Sequence, residues 1–384
     1  MRLAFYAPLK PPDHPSPSGD RTVARLLIKA LKQAGAEIEI ASRLRSRIGT
    51  ADEAAQHRMA AKGAATATRL IAHYRALPKR RRPQAWFTYH LYYKAVDWIG
   101  PKVAAALDIP YLLAEASHAP KRAAGPYAFS HAAAEAAIKQ AAAIFCLNPT
   151  DKECLAAVAA KKRLIDLPPF LDLKHFAPAL PDRDVARLKL AMHYRLDPTK
   201  PWLLAVGMMR PGDKLASYRM LAEALRHLAR PYQLLIVGDG AARPEIERAF
   251  HPIARNVAWL GLVEHGALAE VYAAADLLAW PAINEAFGMA LLEAQACGCP
   301  VVAGRSGGVP AIVADGETGW LSAPGDGAAF AADIDHALDI DLTPVRAAAR
   351  KKALRQHDID GASARLAKPI ARLIAHQVTS RAAP

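Results

Sequence analysis

The chain has 384 residues, 52% hydrophobic and 22% charged, enough for two domains that each bury a core of their own. No uncharged apolar run is long enough to span a bilayer, and the four cysteines (Cys146, Cys154, Cys297, Cys299) lack metal-type spacing and are too few for a small disulfide scaffold. The net charge of +14 is lopsided: through Phe176 there are 27 basic and 14 acidic residues, against 23 and 22 in the remainder. The densest basic patch is Lys79-Arg-Arg-Arg82. Such a field suits anionic lipid surfaces or acidic glycans, or is simply a solvated face; nucleic acid is disfavoured because no binding motif accompanies the charge.

In chain order, Leu3–Tyr6 reads as the first strand, and the short apolar N-terminus is a strand rather than a signal peptide, which with the cysteines points to a reducing cytosol. A Pro-rich loop runs to Gly19-Asp20, followed by a helix with apolar positions Val23, Leu26, Leu27, Ala30 and Leu31, closed by Gly35. Glu37–Ala41, Trp86–Tyr89, Tyr111–Ala114, Ala143–Leu147 and Arg163–Leu167 are further strands, with alanine-rich helices at 52–66 and 131–142. Prolines at 168, 169, 178, 181, 198 and 201 mark a break. The expected division is residues 1–172, a linker over 173–200, a second domain over 201–355 and a final stretch over 356–384 with a helix within Gly361–Gln377. The second domain offers Trp202–Gly207, Gln233–Gly238, Val257–Leu260, Leu277–Trp280 and Pro300–Ala303 as strands. Strands alternating with helices throughout imply open parallel α/β sheets.

The most informative run is Pro281-Ala-Ile-Asn-Glu285-Ala-Phe-Gly288-Met-Ala-Leu-Leu-Glu293, ending at Gly298 and Pro300. A helix opening near Phe287 to Met289 presents unpaired N–H groups and a positive dipole end, favouring a phosphate. Glu285 lies just before that end, and Glu293 at most about 12 Å beyond it at about 1.5 Å per residue. Two acceptor-only side chains flanking an anion site suit a polyol joined to a phosphate, as in a nucleotide sugar. Two Glu on an alanine-rich helix also suit a plain solvated face.

This run resembles the E-x7-E signature of the retaining family 4 glycosyltransferases of GT-B fold. The likeness continues in Gly307-Gly308-Val-Pro310, Asp315-Gly316-Glu-Thr318-Gly319, Val206-Gly207-Met-Met-Arg210-Pro-Gly-Asp-Lys214, Ile236-Val237-Gly238-Asp239-Gly240 and Trp259-Leu-Gly261-Leu. It implies two Rossmann-like α/β/α domains facing across a cleft, the first binding the acceptor and the second the donor, with the final helix returning to the first. The implied activity is transfer of a hexosyl group, with retention, from a UDP- or GDP-linked sugar to the hydroxyl of a glycan or lipid-linked acceptor, without a cofactor or metal. The enzyme would be cytoplasmic or peripheral at the inner face of the membrane.

Residue by residue, the resemblance carries Lys214 and Arg210 to the cations that clamp the diphosphate, although Met208 stands where the family often has Arg. Glu293 falls on the ribose acceptor position and Glu285 on the one facing the donor sugar. Phe287, Gly288 and Met289 supply helix-opening amides, and Gly261 and Leu262 lie in the segment usually against the base. In the first half, Gly19 matches the first-loop glycine while Asp20 replaces a second one. His118 in Glu115-Ala-Ser-His118 resembles the cleft histidine, and His90 with Tyr92 is a second acceptor candidate. There is no Asp-x-Asp and no evident His/carboxylate ligand cluster, so no metal site is expected. A sugar-nucleotide epimerase of the same fold and a non-catalytic glycan-assembly scaffold remain alternatives. An NAD-dependent enzyme is remote because no Gly-x-Gly-x-x-Gly follows the first strand.

Overall fold

The computed structural model describes residues 1–176 and 182–382. Pro178 and Pro181 of the expected break lie outside them. Two compact units emerge, Met1–Pro168 together with the chain from Ile359 on, and Pro169–Asp358.

In the first unit β1 (Arg2–Tyr6), β2 (Glu37–Ser42), β3 (Ala85–Leu91), β4 (Tyr111–Ala116), β5 (Ala143–Cys146) and β6 (Leu164–Asp166) form one sheet in the order β2-β1-β3-β4-β5-β6. In the second, β7 (Trp202–Val206), β8 (Gln233–Val237), β9 (Val257–Gly261), β10 (Leu277–Trp280), β11 (Val301–Gly304) and β12 (Gly319–Ser322) follow the order β12-β11-β10-β7-β8-β9. Neighbouring strands pair in parallel throughout both sheets. That is why central strands such as Leu277–Trp280 and Val301–Gly304 are buried at every position: helices cover both faces, so apolar residues run without alternation.

The order of each sheet reverses once. In the first, the chain leaves β1 toward β2 and returns to β3 on the other side; in the second, β7 leads toward β8 and β10 lies on its opposite flank. At such a reversal the loops beyond the strand ends part and leave a crevice. The strand β12 was missing from the expected set. It is only four residues between Gly316 and Pro324, too short to stand out from the turns, and pairing with β11 defines it.

The span expected as linker holds a helix over Arg183–Tyr194, capped by Asp182, which packs against the helix His265–Ala274. The last helix runs over Ile359–Ala382 and packs against Gly19–Gln33 within the first unit.

The long helix Glu53–Ala76 is pinned by Gly63, where a Cβ would lie 2.2 Å from the Cβ of Trp98. Helix propensity alone favours alanine there by about 1 kcal/mol, but overpacking costs about 1–3 kcal/mol and wins because Trp98 meets the helix at the root of its side chain. Gly63→Ala is therefore expected to lower the thermal midpoint, whereas alanine at an exposed glycine such as Gly361, with open space around its Cβ, should not; differential scanning fluorimetry on both variants checks this.

Candidate functional site

The crevice of the second sheet lies between the loops that follow β7 and β10. The first runs from Gly207 to Gly212 and enters the helix Asp213–Leu225; the second runs from Pro281 to Gly288 and enters the helix Met289–Ala296. They are laced together: Asn284 Nδ2 donates to Asp213 Oδ1 at 3.0 Å, and the Ile283 amide donates to Ser217 Oγ at 3.0 Å. The second loop is conformationally demanding, with positive φ at Ala282, Asn284 and Gly288. Gly288, at φ +76°, is the residue before the helix, where a left-handed turn lets the chain enter with its amides exposed. A third loop closes against it: the Gly308 amide donates to the Ala286 carbonyl at 2.8 Å, and a Cβ on Gly307 would stand 2.2 Å from the Glu285 carbonyl oxygen.

Within this frame Lys214 Nζ donates to Glu285 Oε2 at 2.5 Å and sits 5.0 Å from the centroid of the Trp280 ring. The Trp280 indole N–H donates to the same Glu285 oxygen at 3.1 Å. Trp280 was not among the sequence candidates; its position as the last residue of β10, at the reversal, is the signal that could have found it. Arg210 is exposed and directs a guanidinium N–H to Met208 Sδ. Phe287 is buried, Gly261 adopts φ +68° and accepts from the Gly238 amide at 2.8 Å, and Leu262 is left 79% exposed beside it.

Glu293 projects from the second turn of the helix Met289–Ala296 and accepts the Tyr272 hydroxyl at 2.9 Å. Burial raises its carboxyl to about 7, and the tyrosine hydrogen bond only partly offsets that. The thiols of Cys297 and Cys299, at and after the end of this helix, are buried, and desolvation pushes Cys299 up to about 12, so both are packing groups.

The first sheet has a charged pair at its own reversal. His90 at the end of β3 lies 3.0 Å from Asp20, in the first turn of the helix after β1, and 3.7 Å from Glu115 of β4. Burial opposes a charge on His90, but Glu115 and Asp20 together raise it to about 9. Burial lifts Glu115 to about 7, and its Oε2 has no hydrogen-bond partner among the described residues. His90 and Glu115 both hold positive φ, a cost that only tight surroundings sustain. Tyr92 stacks obliquely on His90 at 5.2 Å. A Cβ on Gly19 would meet no atom within 4 Å, so the surrounding fold does not itself demand glycine there.

His118 follows β4 in the first unit. Its ring is buried, Nε2 is 3.2 Å from Glu135 Oε2, and the ring of His131 lies 5.2 Å away. Where the sequence suggested no ligand cluster, the fold gathers His118, His131 and Glu135; only the i, i+4 spacing of the last two is visible in the chain.

The comparisons with known proteins follow this geometry. Residues 200–339 match the family model described as glycosyl transferases group 1. Over those residues the chain is similar to the group 1 glycosyl transferases. It is 34% identical over 197 residues to the D-inositol 3-phosphate glycosyltransferase of Xylanimonas cellulosilytica, a match covering 50% of this chain and 46% of that protein. It is 35% identical over 202 residues to the GDP-mannose-dependent monoacylated alpha-(1-6)-phosphatidylinositol monomannoside mannosyltransferase of Corynebacterium glutamicum, covering 50% of each. The chain thus spans about half the length of these relatives. Among solved structures it resembles sucrose-phosphate synthase from Thermosynechococcus elongatus, with TM-score 0.73 and 21% identity over 98% of this chain and 100% of that one. It also resembles Anabaena HepE in complex with UDP-glucose, with TM-score 0.69 and 16% identity over 99% and 100%. The fold is GT-B.

In the second unit the raised Glu293 carboxyl has a stability consequence. A carboxyl whose folded pKa exceeds its unfolded value takes up a proton on folding, so its contribution is favourable at low pH and is lost as pH rises toward and through about 7. Glu293→Gln is expected to raise stability at pH 8, by on the order of 2–3 kcal/mol at most, and to change little at pH 5. Thermal unfolding of both proteins at the two pH values checks this; an equal effect at both would mean the carboxyl is not the buried charge described.

Proposed function

We propose that the protein is a retaining hexosyltransferase that moves a sugar from a nucleotide diphosphate donor to an acceptor hydroxyl. The observation that carries this reading is the Lys214–Glu285–Trp280 constellation at the sheet reversal of the second unit, where the chain is similar to the group 1 glycosyl transferases, beside the opening of the helix Met289–Ala296. Lys214 and the helix-opening amides at Phe287, Gly288 and Met289 would meet the departing diphosphate, with Arg210 reaching from the adjacent loop. Preorganised cations of this kind neutralise charge as it builds on the leaving group, which is the role a metal plays elsewhere. Glu285, which accepts from Lys214, would give part of it up to the phosphates and turn to the donor sugar's hydroxyls.

Glu293 would accept from the ribose hydroxyls, steadied by Tyr272, and Leu262 beside Gly261 would lie against the base. On the first unit, Gly19 leaves space for close approach of donor or acceptor, and His90 with Tyr92 would face the acceptor. Retention rests on the family likeness: no side chain in this set is an obvious nucleophile, so the leaving phosphate would take the acceptor's proton on the same face. His118 is left out of the set because its ring is buried against α-helical Glu135 and His131.

HepE crystallises with UDP-glucose and the Corynebacterium relative is GDP-mannose-dependent, so the donor panel begins with those nucleotides. The Xylanimonas and Corynebacterium relatives are named for inositol 3-phosphate and a phosphatidylinositol monomannoside. With the basic excess before Phe176, they support an anionic or lipid-linked acceptor reached from the membrane surface. Among the described residues no helix is long and apolar enough to cross a membrane.

The experiment is a thermal-shift screen against UDP, GDP, ADP and their common sugars with EDTA present. One nucleotide series should stabilise the protein, and Glu293→Ala should abolish that shift. Lys214→Ala should lower turnover by on the order of 10² or more, as loss of one preorganised donor does. Stabilisation unchanged in Glu293→Ala would remove the donor-site assignment. Conversion of the sugar nucleotide with no acceptor present would favour an epimerase.

A further inference from the structure

Three side chains of the first unit form a group outside the Lys214–Glu285–Trp280 constellation. His118 lies in the segment after β4, and His131 and Glu135 lie one turn apart on the helix Ala128–Gln140. Each offers one ligand atom, and these atoms all lie within 4.8 Å of one another. Both histidines are at least nine-tenths buried, at 9% and 4% exposure.

The hydrogen bonding of the group is incomplete. His131 Nε2 and His118 Nδ1 are buried with no partner among the described residues. An imidazole nitrogen stranded in this way is destabilising unless something occupies it. His131 Nε2 is thus the ring nitrogen left open to a ligand.

Glu135 completes the set. Lys139 takes its Oε1, while Oε2 faces His118 Nε2 at 3.2 Å. Two ligands of one tetrahedral zinc, each at about 2.0–2.1 Å, stand about 3.3 Å apart, so this pair already has the required separation. Lys139 plays the outer role of a group that orients the ligating carboxylate.

We propose that His118, His131 and Glu135 bind a divalent transition-metal ion, zinc by its donor set. Two imidazoles and one carboxylate suit zinc over magnesium or calcium, which take oxygen ligands. The ion ties the segment after β4, through His118 Nε2, to the helix Ala128–Gln140 and supplies the electron-pair acceptor that His131 Nε2 lacks. This site is independent of donor binding, so an EDTA-resistant transferase and a zinc-binding first unit are compatible.

The test is titration of the full chain, freed of metal with EDTA and dialysed, with zinc chloride in competition with a chromophoric zinc chelator. One equivalent should bind and raise the thermal midpoint. His131→Ala and Glu135→Gln should each weaken binding by at least about 10-fold, since even outer-shell losses cost that much. Glu135 is on the surface side of the group, so its variant tests the site even where the His131 variant fails to fold. Cys154→Ser controls for the one exposed thiol and should bind as wild type does. Absence of tight zinc binding, binding unchanged in both ligand variants, or binding lost in Cys154→Ser would each overturn the proposal.

Discussion

The reversal of strand order between β7 and β10 is the constraint on which the C-terminal unit depends. Parallel strands need crossover helices, and helices leaving in opposite directions from adjacent strands cannot fill the space above the strand ends. Three loops close in on that space, and their glycines are explained by it. Gly238 has the Gly207 carbonyl oxygen where its Cβ would stand, and Gly307 has that of Glu285. Main chain packed on main chain makes a rigid rim, and a rigid rim is what lets Lys214 and Glu285, 71 residues apart in sequence, meet at a defined distance.

A second theme is charge held where the fold alone would not put it. Glu293 is buried with the Tyr272 hydroxyl donating to it, and burial makes its ionisation costly, while Lys214 rests on a carboxylate and an indole face. In the first unit Asp20, His90 and Glu115 meet at the equivalent reversal, two of them with strained backbone. Burying charge in this way works against stability and is retained where a ligand supplies the missing partners. The repetition of a charged pair at the reversal of both sheets follows from topology: each reversal is where polar groups of two non-adjacent loops can meet without entering the apolar layers.

Much of this was legible in the chain. Continuous apolar runs such as Leu203-Leu-Ala205 and Val301-Val-Ala303 announce doubly covered parallel strands because burial on both faces leaves no room for alternation. The opening of the helix at Met289 could be read from Gly288, since a left-handed residue there is a local requirement. Glu285 and Lys214 were visible as parts of motifs, and the structure puts Lys214 in the first turn of the helix Asp213–Leu225. Their mutual contact was not visible, because it joins non-adjacent stretches of sequence. Trp280 looked like any strand residue until its indole was seen to hold Glu285.

By itself, then, the sequence determined what is local or periodic: element type, most strands, the helix openings, the charge asymmetry and the residue types able to meet a nucleotide sugar. The tertiary structure alone decided which of these meet. Strand β12 exists only by pairing with β11. His118 faces His131 and Glu135 because a crossover helix returns across β4. Lys214 finds Glu285 because two strands far apart in the chain lie side by side in the sheet. Such encounters are set by long-range packing of the buried faces, and no spacing along a chain encodes them.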